Sequence, residues 1–217
     1  MQVSIHNNYS TSFKATKIAT TKNFAHGKTF IDIYKLSSED KNFLEKLANK
    51  ISIKDLCPTL SESIQARWQK VFNYCLQEAK ETFSHSYIAI SDNKPCGILT
   101  YLEKGNKNNF LSGVCAIPDA NGNKTPLTGV TLLYQMFKDC TIKNAEKGIT
   151  LEAIHNGPVD VVKKYEKLGF TKNSELKYYT VMSINKFKVQ KALNNLQKQI
   201  EYIKDEQHSI NLDLFLD

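Results

Sequence analysis

Arginine is nearly missing from this chain: Arg67 stands alone among 29 lysines and arginines in 217 residues. Readers of bases and clamps for phosphate favour arginine's planar fork. The net charge of +7 is therefore lysine charge, and it argues against a nucleic-acid partner. Lysine, asparagine and isoleucine together fit an AT-rich coding bias. Long apolar runs are also missing, none approaching the ~18 residues that span a bilayer, so no membrane partner is expected. The opening Met1-Gln-Val-Ser-Ile-His6 has no apolar signal-peptide core. The five cysteines (57, 75, 96, 115 and 140) are odd in number and form no Cys-x-x-Cys or Cys/His spacing, which excludes a zinc framework; no metal is expected. Cys57, Cys75, Cys115 and Cys140 lie in apolar surroundings and read as small core residues. Free thiols and no leader point to a cytoplasmic protein. Acidic residues are absent before Asp32, and residues 1–27, rich in Ser, Thr, Asn and Lys, read as a flexible N-terminal tail.

What is present is a globular composition, 41% hydrophobic and 24% charged, which excludes disorder throughout and suits one domain with extensions. Thr29–Tyr34 alternates and is β-branched, a first strand. Ser37 or Ser38 can cap a helix striped by Phe43, Leu44, Leu47 and Ile51. Pro58 breaks the pattern into a loop. Ser61 opens a second helix with Ile64, Trp68, Val71, Phe72 and Cys75 on its inner face, Trp68 reading as a core anchor. Ser86–Ile90 and Cys96–Leu102 are strands joined by the turn Ser91-Asp-Asn-Lys-Pro95.

The chain is organised around Phe110–Phe170. A strand-like run, Phe110-Leu-Ser-Gly-Val-Cys-Ala-Ile117, stops at Pro118. A polar loop to Pro126 and a helix from Thr128 to about Asn144 follow. A strand at Ile149–Ile154 and a short helix from Pro158 to Gly169 complete a βαβ unit with near-parallel strands. The loop before its first helix is where α/β folds hold anions. Tyr178–Ile184 closes the sheet over an expected domain of residues 28–184. The remainder, residues 185–217, reads as an amphipathic helix, with Val189, Leu193, Leu196, Ile200 and Ile203 in one stripe, and an alternating tail from Ile210. That stripe can pack on the parent domain or form a homodimer.

Lys124-Thr-Pro-Leu-Thr-Gly-Val-Thr-Leu-Leu133 resembles the cofactor loop of GNAT-type N-acetyltransferases, Ile117-Pro118 resembles the strand end before it, and Tyr165-Glu-Lys-Leu-Gly-Phe170 resembles the family's Tyr-x-x-x-Gly-Phe signature. Leu127 departs from the pattern, standing where the first glycine belongs, with Gly129 retained. Pro158 takes the place of a frequent asparagine, and Asn156 lies two residues early. The resemblance implies an α/β (α+β) fold. Its sheet would be mixed and mostly antiparallel, with central splayed parallel strands and helices on both faces.

It further implies an acetyltransferase using acetyl-CoA as acyl donor and a small-molecule or peptide amine as acceptor. Ala116, Ile117, Lys124, Thr125, Thr128, Gly129, Val130 and Asn156 would bind the cofactor, and residues near Cys57–Leu60 would border the acceptor. Strand amides around Val114–Ile117 would form an oxyanion site. Tyr165 matches the family's general acid for the leaving thiolate, and it also reads as a tyrosine closing a helix over the core. Glu152, mid-strand in an apolar run, is a general base or a lysine's partner. Asp119, His155 and Glu103 are further bases at strand ends. The alternative is a GNAT-like domain without catalysis, acting as a binding or assembly module.

Overall fold

The computed structural model describes residues 15–23, 29–105, 107–143, 146–155 and 160–216. In chain order its elements are β1 (Ala15–Asn23), β2 (Phe30–Leu36), α1 (Lys41–Lys50), α2 (Ile53–Leu56), α3 (Glu62–Ala79), β3 (Ser84–Ser91), β4 (Lys94–Leu102) and β5 (Asn109–Ala116). They continue with α4 (Thr128–Lys143), β6 (Ile149–Ile154), α5 (Val161–Lys167), β7 (Thr171–Glu175), β8 (Tyr179–Ile184), α6 (Lys186–Gln197) and β9 (Ile200–Ile210). The strands form one sheet in the order β7-β8-β6-β5-β4-β3-β2-β1-β9. Among the described residues, only β5 and β6 pair in parallel. The fold class is thus the expected one, a mixed and mostly antiparallel sheet.

Two apolar clusters cover the two faces. One gathers Leu132, Met136 and Phe137 of α4, Val189, Leu193 and Leu196 of α6, and Tyr165 and Phe170 around α5. The other gathers Phe43, Leu44 and Leu47 of α1 with Trp68, Phe72 and Cys75 of α3. The tight turn at Asp92-Asn93, with φ of 49° and 59°, closes the β3–β4 hairpin in the left-handed region that Asp and Asn tolerate. All five cysteines are free and buried. No helix among the described residues is long and apolar enough to cross a membrane.

Three expectations need correction. Residues 15–23 are not tail: β1 pairs with β2 on one side and β9 on the other, while residues 1–14 and 24–28 lie outside the described residues. Its Thr/Lys-rich sequence looks like a polar linker, but Ala15, Ala19, Thr21 and Asn23 are buried and two neighbouring ladders take its backbone. The C-terminal helix ends at Gln197, so Ile200 and Ile203 belong to a strand; the four-three spacing fits both states, and the free edge of β1 decides. The tail beyond Ile210 is a 3₁₀ turn, Leu212–Phe215, whose Phe215 ring lies 5.6 Å from Tyr34. Within the chain, the apolar stripe of α6 is buried against α4.

Candidate functional site

The site begins with an irregularity in β5. Against β4, Gly113 is opposite Thr100 and Leu111 opposite Tyr101, leaving Ser112 as an extra residue. Such a bulge bends its strand and sharpens the local twist. Pairing with β6 stops there too: Asn109, Phe110 and Leu111 lie beside Ile149, Thr150 and Leu151, and no further. From Ser112 onward β5 and β6 diverge, and a gap opens between them.

Backbone alternation fixes what faces that gap. The Ile117 amide donates to the Cys96 carbonyl at 2.8 Å, so Ile117, Cys115 and Gly113 direct their N–H groups to β4. Val114 and Ala116 therefore turn theirs to the gap. Of the two expected strand-end residues, Ala116 offers its amide and Ile117 does not. Sequence reading placed Val114 only in the general stretch.

At the end of the gap lies the loop into α4. Asp119, expected as a base, instead organises the loop: its carboxylate accepts the Asn121 and Asn123 amides at 2.9 and 2.8 Å. Thr128 is buried, its hydroxyl donating to the Thr125 carbonyl at 2.9 Å. Leu127 holds φ of +63°, the left-handed region that costs a non-glycine residue roughly 1–2 kcal/mol. Its carbonyl accepts from the Thr131 amide at 2.8 Å and its side chain packs on the core. A leucine thus adopts the backbone conformation for which glycine is ordinarily used. No group among the described residues accepts from the Gly129 or Val130 amide, and a Cβ at Gly129 would meet nothing within 4 Å. These open donors at the start of a 16-residue helix lie at the end that favours anions. Gly97 makes this placement possible, since an added Cβ would sit 2.3 Å from Thr128 Cγ2.

Side chains close the gap from both faces. Tyr165, on α5, turns its ring into the core, 5.4 Å from Phe170 and edge-on to it. Gly169, at φ +98°, takes the left-handed position that ends α5. The Phe170 amide then donates back to the Tyr165 carbonyl at 3.1 Å. Burial first, and then the neighbouring Cys75, raise the Tyr165 hydroxyl pKa well above the ordinary tyrosine range, so it keeps its proton. Cys75 belongs to the opposite face, on α3, where it packs so tightly on β5 that a Cβ on Gly113 would lie 2.6 Å from its Sγ. Tyr165 and Cys75 thus approach the gap from opposite sides.

Glu152 is exposed. It alternates with the core-facing Leu151 and Ala153 and so looks toward the α3 face. There the Tyr74 pKa is raised by burial first, then by the charges of Glu78 and Glu152. Lys124 sits 4.6 Å from the centre of the Trp68 ring, and desolvation, then the nearby Lys164, lowers its pKa. His155 is half-buried, its Nε2 2.8 Å from Thr180 Oγ1, and Glu103 lies 2.9 Å from His85, so neither is a free base at the gap. Thr125 contributes its carbonyl to Thr128, and Asn156 lies outside the described residues.

Two participants escaped sequence reading. The Trp68 indole N–H donates to the Ala116 carbonyl at 2.9 Å, and Arg67 donates to the His155 carbonyl at 2.5 Å. Nothing in their spacing distinguishes them from ordinary helix residues. A groove of about 1030 Å³ between α1, α2 and the outer side of α3, lined by Asn49, Gln69, Asn73 and Gln77 among others, lies away from these groups.

No family model and no curated protein sequence matches the chain. Solved structures do. FdhC, described as a nucleotide-linked sugar GNAT, is 15% identical over 85% of this chain and 97% of its own, with a TM-score of 0.55. An uncharacterized protein from Bacillus halodurans is 9% identical over 84% and 97%, with a TM-score of 0.54. The PaiA N-acetyltransferase from Thermoplasma acidophilum, in complex with coenzyme A, is 21% identical over 71% and 98%, with a TM-score of 0.49. With its parallel pair splayed after a bulge and a helix N-terminus at the mouth of the opening, the chain has the GNAT N-acetyltransferase fold.

Proposed function

We propose that this protein transfers an acetyl group directly from acetyl-CoA to an amine on a small molecule. The observation that carries the proposal is the gap between β5 and β6, with the Val114 and Ala116 amides turned into it and the open first turn of α4 at its end. A donor with an amide-bearing arm and a diphosphate suits both features. Strand amides can pair with the arm, and the Gly129 and Val130 amides, with the lysines of the loop and α5, suit the anionic end. Acetyl-CoA bound there supplies an activated acyl carbon, which passes to the amine nitrogen as the C–S bond breaks and the C–N bond forms.

The chain's own groups divide the work by face. Tyr165, protonated by virtue of burial, holds the proton that a leaving sulfur needs. The Val114 and Ala116 amides are fixed donors for charge developing on a carbonyl oxygen. Glu152, exposed toward the α3 side, can take a proton from an entering ammonium group and pass it to water. Acid and base on opposite faces match a reaction whose nucleophile enters on one side and whose leaving group departs on the other. FdhC is described as acting on a nucleotide-linked sugar, so a compound of that class carrying a free amine is the first acceptor to try.

The test is thiol release from acetyl-CoA across a panel of amines, with product mass as confirmation. Amine-dependent release from at least one acceptor is the expected outcome. Binding of acetyl-CoA with no release above hydrolysis for any acceptor would instead mark a non-catalytic binding module.

A further inference from the structure

Parallel neighbours ordinarily stay paired along their shared length, because their outward N–H and C=O groups need partners. β5 and β6 instead part after Leu111 and Leu151, and one helix touches both sides of the opening. Trp68 donates through its indole N–H to the carbonyl of Ala116, the last residue of β5, at 2.9 Å. Arg67 donates to the carbonyl of His155, the residue after β6, at 2.5 Å. Consecutive residues of a helix diverge by about 100° around its axis, so neighbours can reach two separate targets. α3 is held firmly enough to act as an anchor: Trp68 and Phe72 are buried, and Gly113 admits Cys75 against β5. The chemistry of the two side chains also suits the task. Indole is a donor without an acceptor, and guanidinium likewise. Trp68 occupies the carbonyl that ends β5 and Arg67 the carbonyl just past β6, and neither side chain offers an acceptor through which the strands could join.

We propose that Arg67 and Trp68 are positioning residues: a brace from α3 that keeps β5 and β6 apart and leaves the Val114 and Ala116 amides open. Their use by a bound acyl donor rests on the function proposed above; the brace itself does not.

Trp68→Phe retains a ring in the core and removes the N–H, and Arg67→Met retains length and removes the fork. The readouts are amide exchange at Val114 and Ala116 by NMR in the ligand-free full chain, and calorimetric affinity for coenzyme A. In the double variant β5 closes on β6, so both amides should exchange about tenfold more slowly and coenzyme A should bind about tenfold more weakly, the scale of one or two hydrogen bonds. Mere loss of packing has the opposite sign, speeding exchange through the sheet. Unchanged or faster exchange at these two amides, in a variant that melts like the parent, overturns the brace. Should the double variant not fold, Trp68→Phe alone carries the same test, and Arg67→Lys should keep parental exchange. Slower exchange with unaltered coenzyme A affinity supports the brace and tells against the gap as the donor's seat.

Discussion

Tyr165 is where a structural and a catalytic reading of one residue can be separated by measurement. Its ring is buried against Phe170, which satisfies the reading of a tyrosine closing a helix over the core. Its hydroxyl, however, has no protein hydrogen-bond partner among the described residues, so removing it takes away no bond among them. Tyr165→Phe should therefore leave the melting temperature nearly unchanged and lower kcat by ~10²–10⁴, the usual worth of general acid catalysis, with coenzyme A affinity preserved. A lowered melting temperature with parental kcat would return the residue to the core. The position of Tyr165 was legible because the glycine stop at Gly169 and Phe170 follow it in order. Leu127 was legible only as a departure. Its backbone at φ +63° shows that the loop keeps its shape through packing and the Thr131 amide, information that lies in tertiary contacts and not in the local sequence.

The packing of α4 on β4 sets where the open helix N-terminus sits. Gly97→Ala would place a methyl 2.3 Å from Thr128 Cγ2, 3.1 Å from the Cys115 carbonyl and 3.1 Å from Leu132 Cδ1. Thr128 cannot easily turn away, since it is buried and its hydroxyl is tied to Thr125. The substitution should destabilise the protein by about 1–3 kcal/mol, as overpacking does, read as a fall in the denaturation midpoint. An unchanged midpoint would mean that α4 is free to lift from β4. Elements with strong periodicity, such as β5, α4 and β6, could be read directly from the chain. β1 and β9 could not, because pairing makes them strands: a Thr/Lys-rich segment is taken up between β2 and β9, and an Ile-spaced helix continuation becomes a ladder on the edge of β1. The bulge at Ser112 left no mark in composition, and neither did the gap that begins beside it.

Across the whole molecule, buried thiols and phenols make stability depend on alkaline pH. Burial pushes Cys96 up to about 11, and Cys115 and Cys140 up to about 12; it also raises Tyr87, Tyr101 and Tyr202. In the unfolded chain these groups ionise near their ordinary values, about 8.5 for thiols and about 10 for phenols. Unfolding then releases protons, so their contribution is intact below the thiol value and is lost as pH climbs toward the folded values. The melting temperature should be flat with respect to these groups below about pH 8 and fall steadily above about pH 9; a flat profile to about pH 11 would mean that the thiols and phenols ionise without unfolding. The two-faced sheet that buries them also leaves β5 and β6 unpaired beyond Leu111 and Leu151, and acetyl-CoA is the occupant proposed for that gap. Calorimetric titration of the full chain with acetyl-CoA, repeated on Gly129→Pro, tests this most directly. Proline removes an unpartnered amide near the helix start, where it is best tolerated. One acetyl-CoA should bind per chain, with affinity lost in a Gly129→Pro variant that still melts cooperatively. No binding to the parent chain, or equal affinity in both proteins, would contradict the proposal.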